Sequence, residues 1–166
     1  KSLNIPKQEL ERLQKEKSIS RIETTFQHEV KNSDGTVSQF PLSIELQSAG
    51  TKRIFGLSGA ILSTIKQNAF LTIDEIESKL HPDLLSFVIE QFLRESDQAQ
   101  LLVSTHYDGL LDEDDLLRND NVWFIEKKKD ASTSLYSLAE FKAVNRITSK
   151  QKAYRIGKFG ALPKIK

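Results

Sequence analysis

Three short stretches of this chain end apolar or helical runs with side chains suited to phosphate chemistry. Phe70-Leu71-Thr72-Ile73 is a short apolar run that leads straight into Asp74-Glu75. As a strand of a parallel sheet it delivers Asp74 to its carboxyl end, where such sheets bind ligands. A hard carboxylate oxygen there suits Mg²⁺ through water. Glu75 beside it suits orienting or deprotonating a water that attacks phosphate. Leu101-Leu102-Val103 leads in the same way into Ser104-Thr105-His106, and an imidazole so placed can hydrogen-bond a terminal phosphate. The third stretch, Gln47-Ser48-Ala49-Gly50-Thr51-Lys52-Arg53, stands directly before a helical pattern. Ser48, Gly50 and Thr51 there offer a hydroxyl and free backbone N–H groups to an anion.

Each stretch, taken singly, also has a plain structural account. Ser48 can be an ordinary N-cap with a turn glycine, the two acids can open a solvated loop, and His106 can be structural. His28 alternates with a strand face, as a packed or exposed residue would. His81 precedes Pro82 and reads as a turn residue. Three scattered histidines and no cysteine argue against a zinc site.

The elements that must position these residues follow from periodicity. Ile54, Leu57, Ile61 and Ile65 fit one face of a helix of about four turns. Pro82 suits a helix start, and Leu84/Leu85, Val88/Ile89 and Phe92/Leu93 repeat every four residues after it. Residues 70–73 and 101–103 read as buried strands, so residues 54–103 run helix, strand, helix, strand. That order implies a parallel pair with a crossover. Upstream, Ile22, Phe26, His28 and Val30 alternate as a half-buried strand would. Asp34-Gly35 signals a hairpin turn, and Phe40, Leu42, Ile44 and Leu46 mark the return strand, with Pro41 favouring an edge. Leu10 and Leu13 give the charged segment from Ile5 to Lys17 one thin helical stripe. The organisation expected is thus an N-terminal helical segment over 1–18 and a lobe over 19–166.

Farther along, Val122 to Glu126 and Ser134 to Leu138 read as strands around a charged turn at Lys127 to Asp130. Asp112 to Asp115 reads as a solvated cap for a helix bearing Leu116 and Leu117, since consecutive acids converge poorly on one ion. Lys142 to Lys166 carries basic residues and no acids, with Tyr154 and Phe159 between them. Such a tail can track a nucleic-acid backbone, or it can simply be solvated or fold against a neighbouring lobe, and the latter reading is preferred.

Composition sets the outer limits. At 166 residues, 38% hydrophobic and 28% charged, the chain suits one globular domain with a real core. A net charge of +1 makes no whole-protein case for nucleic acid. No apolar run approaches the ~20 residues of a membrane span, and no signal pattern opens the chain, so a cytoplasmic protein without a membrane partner is expected. A chain that opens at Lys1 and contains no methionine is expected to be a fragment, its missing part N-terminal.

In combination the three stretches are far more specific than any one of them. Ser48 lies 26 residues before Asp74, and His106 lies 32 after it. This order and spacing resemble the signature, Walker B and switch-histidine motifs of ABC ATPases. Ser48-Ala49-Gly50-Thr51 is similar to the Ser-Gly-Gly-Gln portion of the signature, with Ala49 in place of a glycine. Asp74-Glu75-Ile76-Glu77-Ser78-Lys79-Leu80-His81-Pro82 resembles the Asp-Glu-(Ile/Leu)-(Asp/Glu)-x-x-Leu-His-Pro form of prokaryotic ATPases related to RecF and the overcoming-lysogenization-defect proteins. Residues 122–127, 135–138 and 159–163 resemble the C-terminal end of the abortive-infection-type AAA ATPases in that group.

The resemblance implies an α/β fold: the C-terminal portion of a P-loop NTPase (ABC ATPase-like) head, with a parallel sheet core, flanking helices and an antiparallel hairpin. None of the seven glycines has the Gly-Lys-Ser/Thr context of a P-loop, which the family carries in the N-terminal half of the same chain. The cofactors implied are ATP and Mg²⁺, and the fragment alone is expected to be inactive. Asp74 would serve the metal, Glu75 and His106 catalysis. Ser48, Gly50 and Thr51 would meet the ATP of a second, identical head. Implied partners are the P-loop half, that second head, a nuclease or other effector of phage defence, and nucleic acid. Two other readings stay open: a RecF- or SMC-like repair ATPase that clamps DNA, and a non-catalytic interaction domain that keeps only the fold.

Overall fold

Asp34-Gly35 turns the chain back on itself, as its turn chemistry predicts. The structure, a computed structural model in which residues 22–162 are described, pairs β1 (Thr25–Lys31) with β2 (Val37–Ser43) antiparallel, Phe26 opposite Leu42 and Lys31 opposite Val37. Gly35 takes φ +83°, the left-handed conformation the turn requires. Asp34 Oδ1 accepts the Thr36 N–H at 2.9 Å. The strands are shorter than the alternation predicts: Ile22 stays outside β1, and Ile44–Leu46 forms a 3-10 turn. Phe26, Leu42 and Ile44 are half-buried as expected, but Val30 and Phe40 are exposed, so burial stops short of the turn end of the hairpin. Pro41, opposite Gln27, sits in a two-stranded ribbon, where every strand is an edge. The helix expected from Ile5 to Lys17 lies outside the described residues. The chain forms two compact units that meet between Ser48 and Ala49, and the hairpin belongs to the first.

The second unit opens with α1 (Ala49–Gln67), 19 residues long and so more than the four turns its apolar stripe suggested. Leu57 and Ile61 on that stripe are buried, and Ile54 and Ile65 pack beside them. Asn68, at φ +49°, ends the helix while the Ala69 N–H reaches back to the Thr64 carbonyl at 3.0 Å. Next come β3 (Phe70–Ile73), α2 (Pro82–Glu95) and β4 (Gln100–Val103). The two strands are parallel, with Phe70 opposite Gln100 and Ile73 opposite Val103. Pro82 occupies the first turn of α2, where its missing N–H costs nothing, and His81 caps the helix by accepting the Asp83 N–H.

Leu71, Ile73, Leu101 and Val103 share one face of this pair. Both helices pack there, α1 through Leu57 and Ile61, α2 through Leu85, Val88, Ile89 and Phe92. The opposite face leaves Phe70 60% and Leu102 58% exposed. The strands are therefore covered on one side, not buried on both as their apolar runs suggested, because both helices pack on the same face.

Beyond β4, β5 (Trp123–Lys127) and β6 (Thr133–Ser137) form an antiparallel hairpin, and α3 (Lys150–Arg155) follows. Phe124, Leu138, Val144, Ala153 and Phe159 are the buried heart of this part. Phe124 stacks on Tyr154 and Phe159 with ring centres 5.6 and 5.8 Å apart. Gly160 lies so close to Tyr136 that a Cβ would come within 2.7 Å of its hydroxyl.

One expectation changes here. Asp112 to Asp115 do not cap a helix over Leu116 and Leu117, which lie in a turn and the loop after it. Asp112 instead accepts the Ser149 hydroxyl at 2.7 Å and the Gln151 N–H at 2.9 Å, fixing the start of α3. Asp114 pairs with the buried Lys150. Asp108 takes both arms of the Arg155 guanidinium, at 2.6 and 2.9 Å. Of the basic run, Lys150 and Arg155 are thus paired with acids of their own unit.

That pairing has a pH signature. The Arg155 hydrogen bond, joined by Gln151 and working against burial, holds the Asp108 carboxyl below its usual range. A depressed carboxyl adds stability above the ordinary carboxylate range and loses it as pH falls below about 4. Asp108→Asn is expected to flatten this acid loss while lowering stability at neutral pH, as read by denaturant unfolding across pH.

Candidate functional site

β3 and β4 stop level with each other, so Asp74-Glu75 and Ser104-Thr105-His106 leave the sheet side by side. Ser104 joins them. Its N–H donates to the Ile73 carbonyl at 3.0 Å, and its carbonyl accepts the Ile76 N–H at 3.1 Å. Its hydroxyl accepts the Glu75 N–H at 3.0 Å and donates to Asp74 Oδ1. One serine therefore orients a carboxylate and fixes the main chain of the residue after it.

Glu75 stands in the left-handed region at φ +45°, costly for a residue with a Cβ and held only where neighbours over-determine it. Besides Ser104, its carbonyl accepts the Ser78 N–H at 2.9 Å and Arg53 Nη2 at 3.3 Å. Its side chain is free to act: Glu75 Oε1 lies 4.0 Å from His106 Nε2, with the side chains 60% and 87% exposed. Carboxylate and imidazole thus face one open space without being locked together.

The end of the second loop is held from below. Glu77 Oε1 accepts the His106 main-chain N–H at 2.7 Å. Burial pushes the Glu77 carboxyl up, but this hydrogen bond, the Thr105 hydroxyl and the imidazole outweigh it and hold the group below its usual range.

Of the residues singled out from sequence, the fold brings Asp74, Glu75 and His106 together at the ends of paired strands. Ser48 closes the first unit, while Gly50 and Thr51 lie inside the first turn of α1 rather than ahead of it. Three contributors had no role assigned from sequence: Arg53, Glu77 and Ser104. Arg53 could have been found, since it lies one turn before Leu57 on the stripe that α1 buries, where a charged group needs a partner. Glu77 and Ser104 act through contacts between segments some thirty residues apart, which spacing along one strand does not show.

Among the described residues, no group of three or more His, Asp or Glu side chains is arranged to cage a metal ion. A single oriented carboxylate suits Mg²⁺, which takes one or two carboxylates and completes its shell with water and phosphate oxygens. Asp74, exposed and oriented by Ser104, is the carboxylate that fits. No helix among the described residues is long and apolar enough to cross a membrane.

Residues 4–112, about two thirds of the chain, match the family model described as "AAA domain, putative AbiEii toxin, Type IV TA system". The matched span contains every candidate residue from Ser48 to His106. A comparison with curated proteins finds none that matches.

Removing the Ser104 hydroxyl tests the local architecture. Ser104→Ala is expected to cost about 0.5–1.5 kcal/mol, the worth of a typical hydrogen bond, because solvent can reach the freed groups. Ser104→Thr keeps the hydroxyl and is expected to lose less. Chemical denaturation of both variants measures the difference.

Proposed function

Because the chain belongs to this family of AAA-domain proteins, we propose that it is the signature, Walker B and switch-histidine half of an ABC-type ATPase head. ATP-driven pairing of two heads would then control an effector, such as a nuclease, in phage defence. The observation that carries this reading is the level ending of β3 and β4, with Ser104 bridging Asp74 and Glu75 and His106 facing the same space.

In this reading Asp74 holds Mg²⁺, which when bound offsets phosphate charge. Glu75 orients a water and accepts its proton as the water oxygen bonds to the γ-phosphorus and ADP departs. The exposed His106 Nε2 donates a hydrogen bond to the γ-phosphate and so reports whether that phosphate is present. Ser48, with the N–H groups of Gly50 and Thr51, serves the ATP of the opposite head, while the P-loop half of the same protein cradles the nucleotide.

The DNA-clamping alternative drew on the basic tail. Lys150 and Arg155 are engaged with Asp114 and Asp108, which weighs against that use. The non-catalytic alternative is separated by experiment.

Mg-ATP hydrolysis by the full-length protein, wild type beside Glu75→Gln, tests the proposal. Wild type is expected to turn over, and Glu75→Gln to keep ATP binding while kcat falls about 10²–10⁴-fold. A folded wild-type protein that binds no ATP would make the non-catalytic interaction domain the better account.

A further inference from the structure

Glu77 is an unusual place for a carboxylate. It follows Ile76, which is wholly buried, and its carbonyl accepts the Leu80 N–H at 2.8 Å, so its main chain is fixed on both sides. Oε1 takes the His106 N–H at 2.7 Å, a charge-assisted bond. Oε2 is sealed from solvent and has no hydrogen-bond partner among the described residues. Desolvating the unpaired oxygen gives back part of what the bonds from the His106 N–H and the Thr105 hydroxyl gain. What the contact does supply is geometry.

The loop over Ser104–His106 is tied down at both ends. Ser104 binds the Asp74–Ile76 turn through its main chain and hydroxyl. The His106 main-chain N–H binds Glu77, just beyond that turn, and the Thr105 hydroxyl donates to the same carboxylate while its oxygen accepts the Tyr107 N–H within the loop. Without the Glu77 bond, the His106 main chain would turn to water, and its imidazole would lose its fixed approach to Glu75.

We propose that Glu77 is a positioning residue: it latches the histidine loop to the acidic turn through the His106 main chain and thereby sets where the imidazole stands relative to Glu75. Its functional half rests on the ATPase reading above; its structural half does not. Glu77 touches no reacting atom and acts only through the loop it holds.

The test uses the full-length protein as wild type, Glu77→Ala and Glu77→Gln, with ATP turnover and hydrogen exchange over residues 104–107 measured on each. In Glu77→Ala, exchange in that segment is expected to rise about tenfold. In the same variant kcat should fall about 10–100-fold, the scale seen when a supporting partner of an active site is removed. KM for ATP and the unfolding midpoint should change little. Glu77→Gln keeps an acceptor oxygen for the His106 N–H and should restore both protection and most of the turnover. Unchanged kcat in Glu77→Ala, or a fall matched by loss of folded protein, would overturn the proposal. If wild type itself hydrolyses no ATP, the ATPase reading fails, and exchange alone decides the latch: faster in Ala with rescue by Gln sustains it, no change overturns it.

Discussion

Parallel strands joined through a helix can end level or offset, and every polar contact at the candidate site depends on which. With Ile73 opposite Val103, the first residues beyond each strand meet, and Ser104 reaches both Asp74 and Glu75. A slip of one residue would shift one strand end by about 3.3 Å and exchange its two faces. A displacement of that size breaks bonds that are already about 3 Å long, so Ser104's cross-loop contacts would be lost together. What opposes a one-residue slip is apolar: Leu71, Ile73, Leu101 and Val103 all face α1 and α2, and such a slip would turn one strand's pair away from them. The core that holds the sheet and the contacts that shape the site are two results of one packing choice.

Elements carried by local pattern were legible in the sequence. The Asp34-Gly35 turn, the stripe of α1, the Pro82 start of α2 and the helix between two parallel strands each follow from a few neighbouring residues. The placement of Asp74, Glu75 and His106 at strand ends follows from apolar runs that stop in polar residues. What escaped depended on distant partners. An apolar run does not say how many of its faces are covered, so Phe70 and Leu102 read as buried although they are exposed. Four consecutive acids look like a solvated cap until Ser149, Lys150 and Gln151 arrive from more than thirty residues away. The contact of Glu77 with the His106 N–H, twenty-nine residues away, escaped for the same reason.

The acids at 108, 112 and 114 and the bases of α3 also show how formal charge misleads. A run of basic residues suggests a surface waiting for a polyanion. Here Arg155 forks onto Asp108 and Lys150 is buried against Asp114, so the tail's charge is partly neutralised within its own unit. The aromatic residues between those bases are likewise engaged: Tyr154 stacks on Phe124, and its hydroxyl donates to the Ala161 carbonyl at 3.1 Å.

The left-handed backbone at Glu75 carries a consequence for how this chain can change. A side chain at φ +45° costs on the order of 1–3 kcal/mol that glycine would avoid. The residue to which the proposed ATPase reading gives the attacking water is therefore one whose loss to glycine would relax the fold. Selection for thermal robustness alone would erode this position, and on the proposed reading catalysis would hold it against that pull.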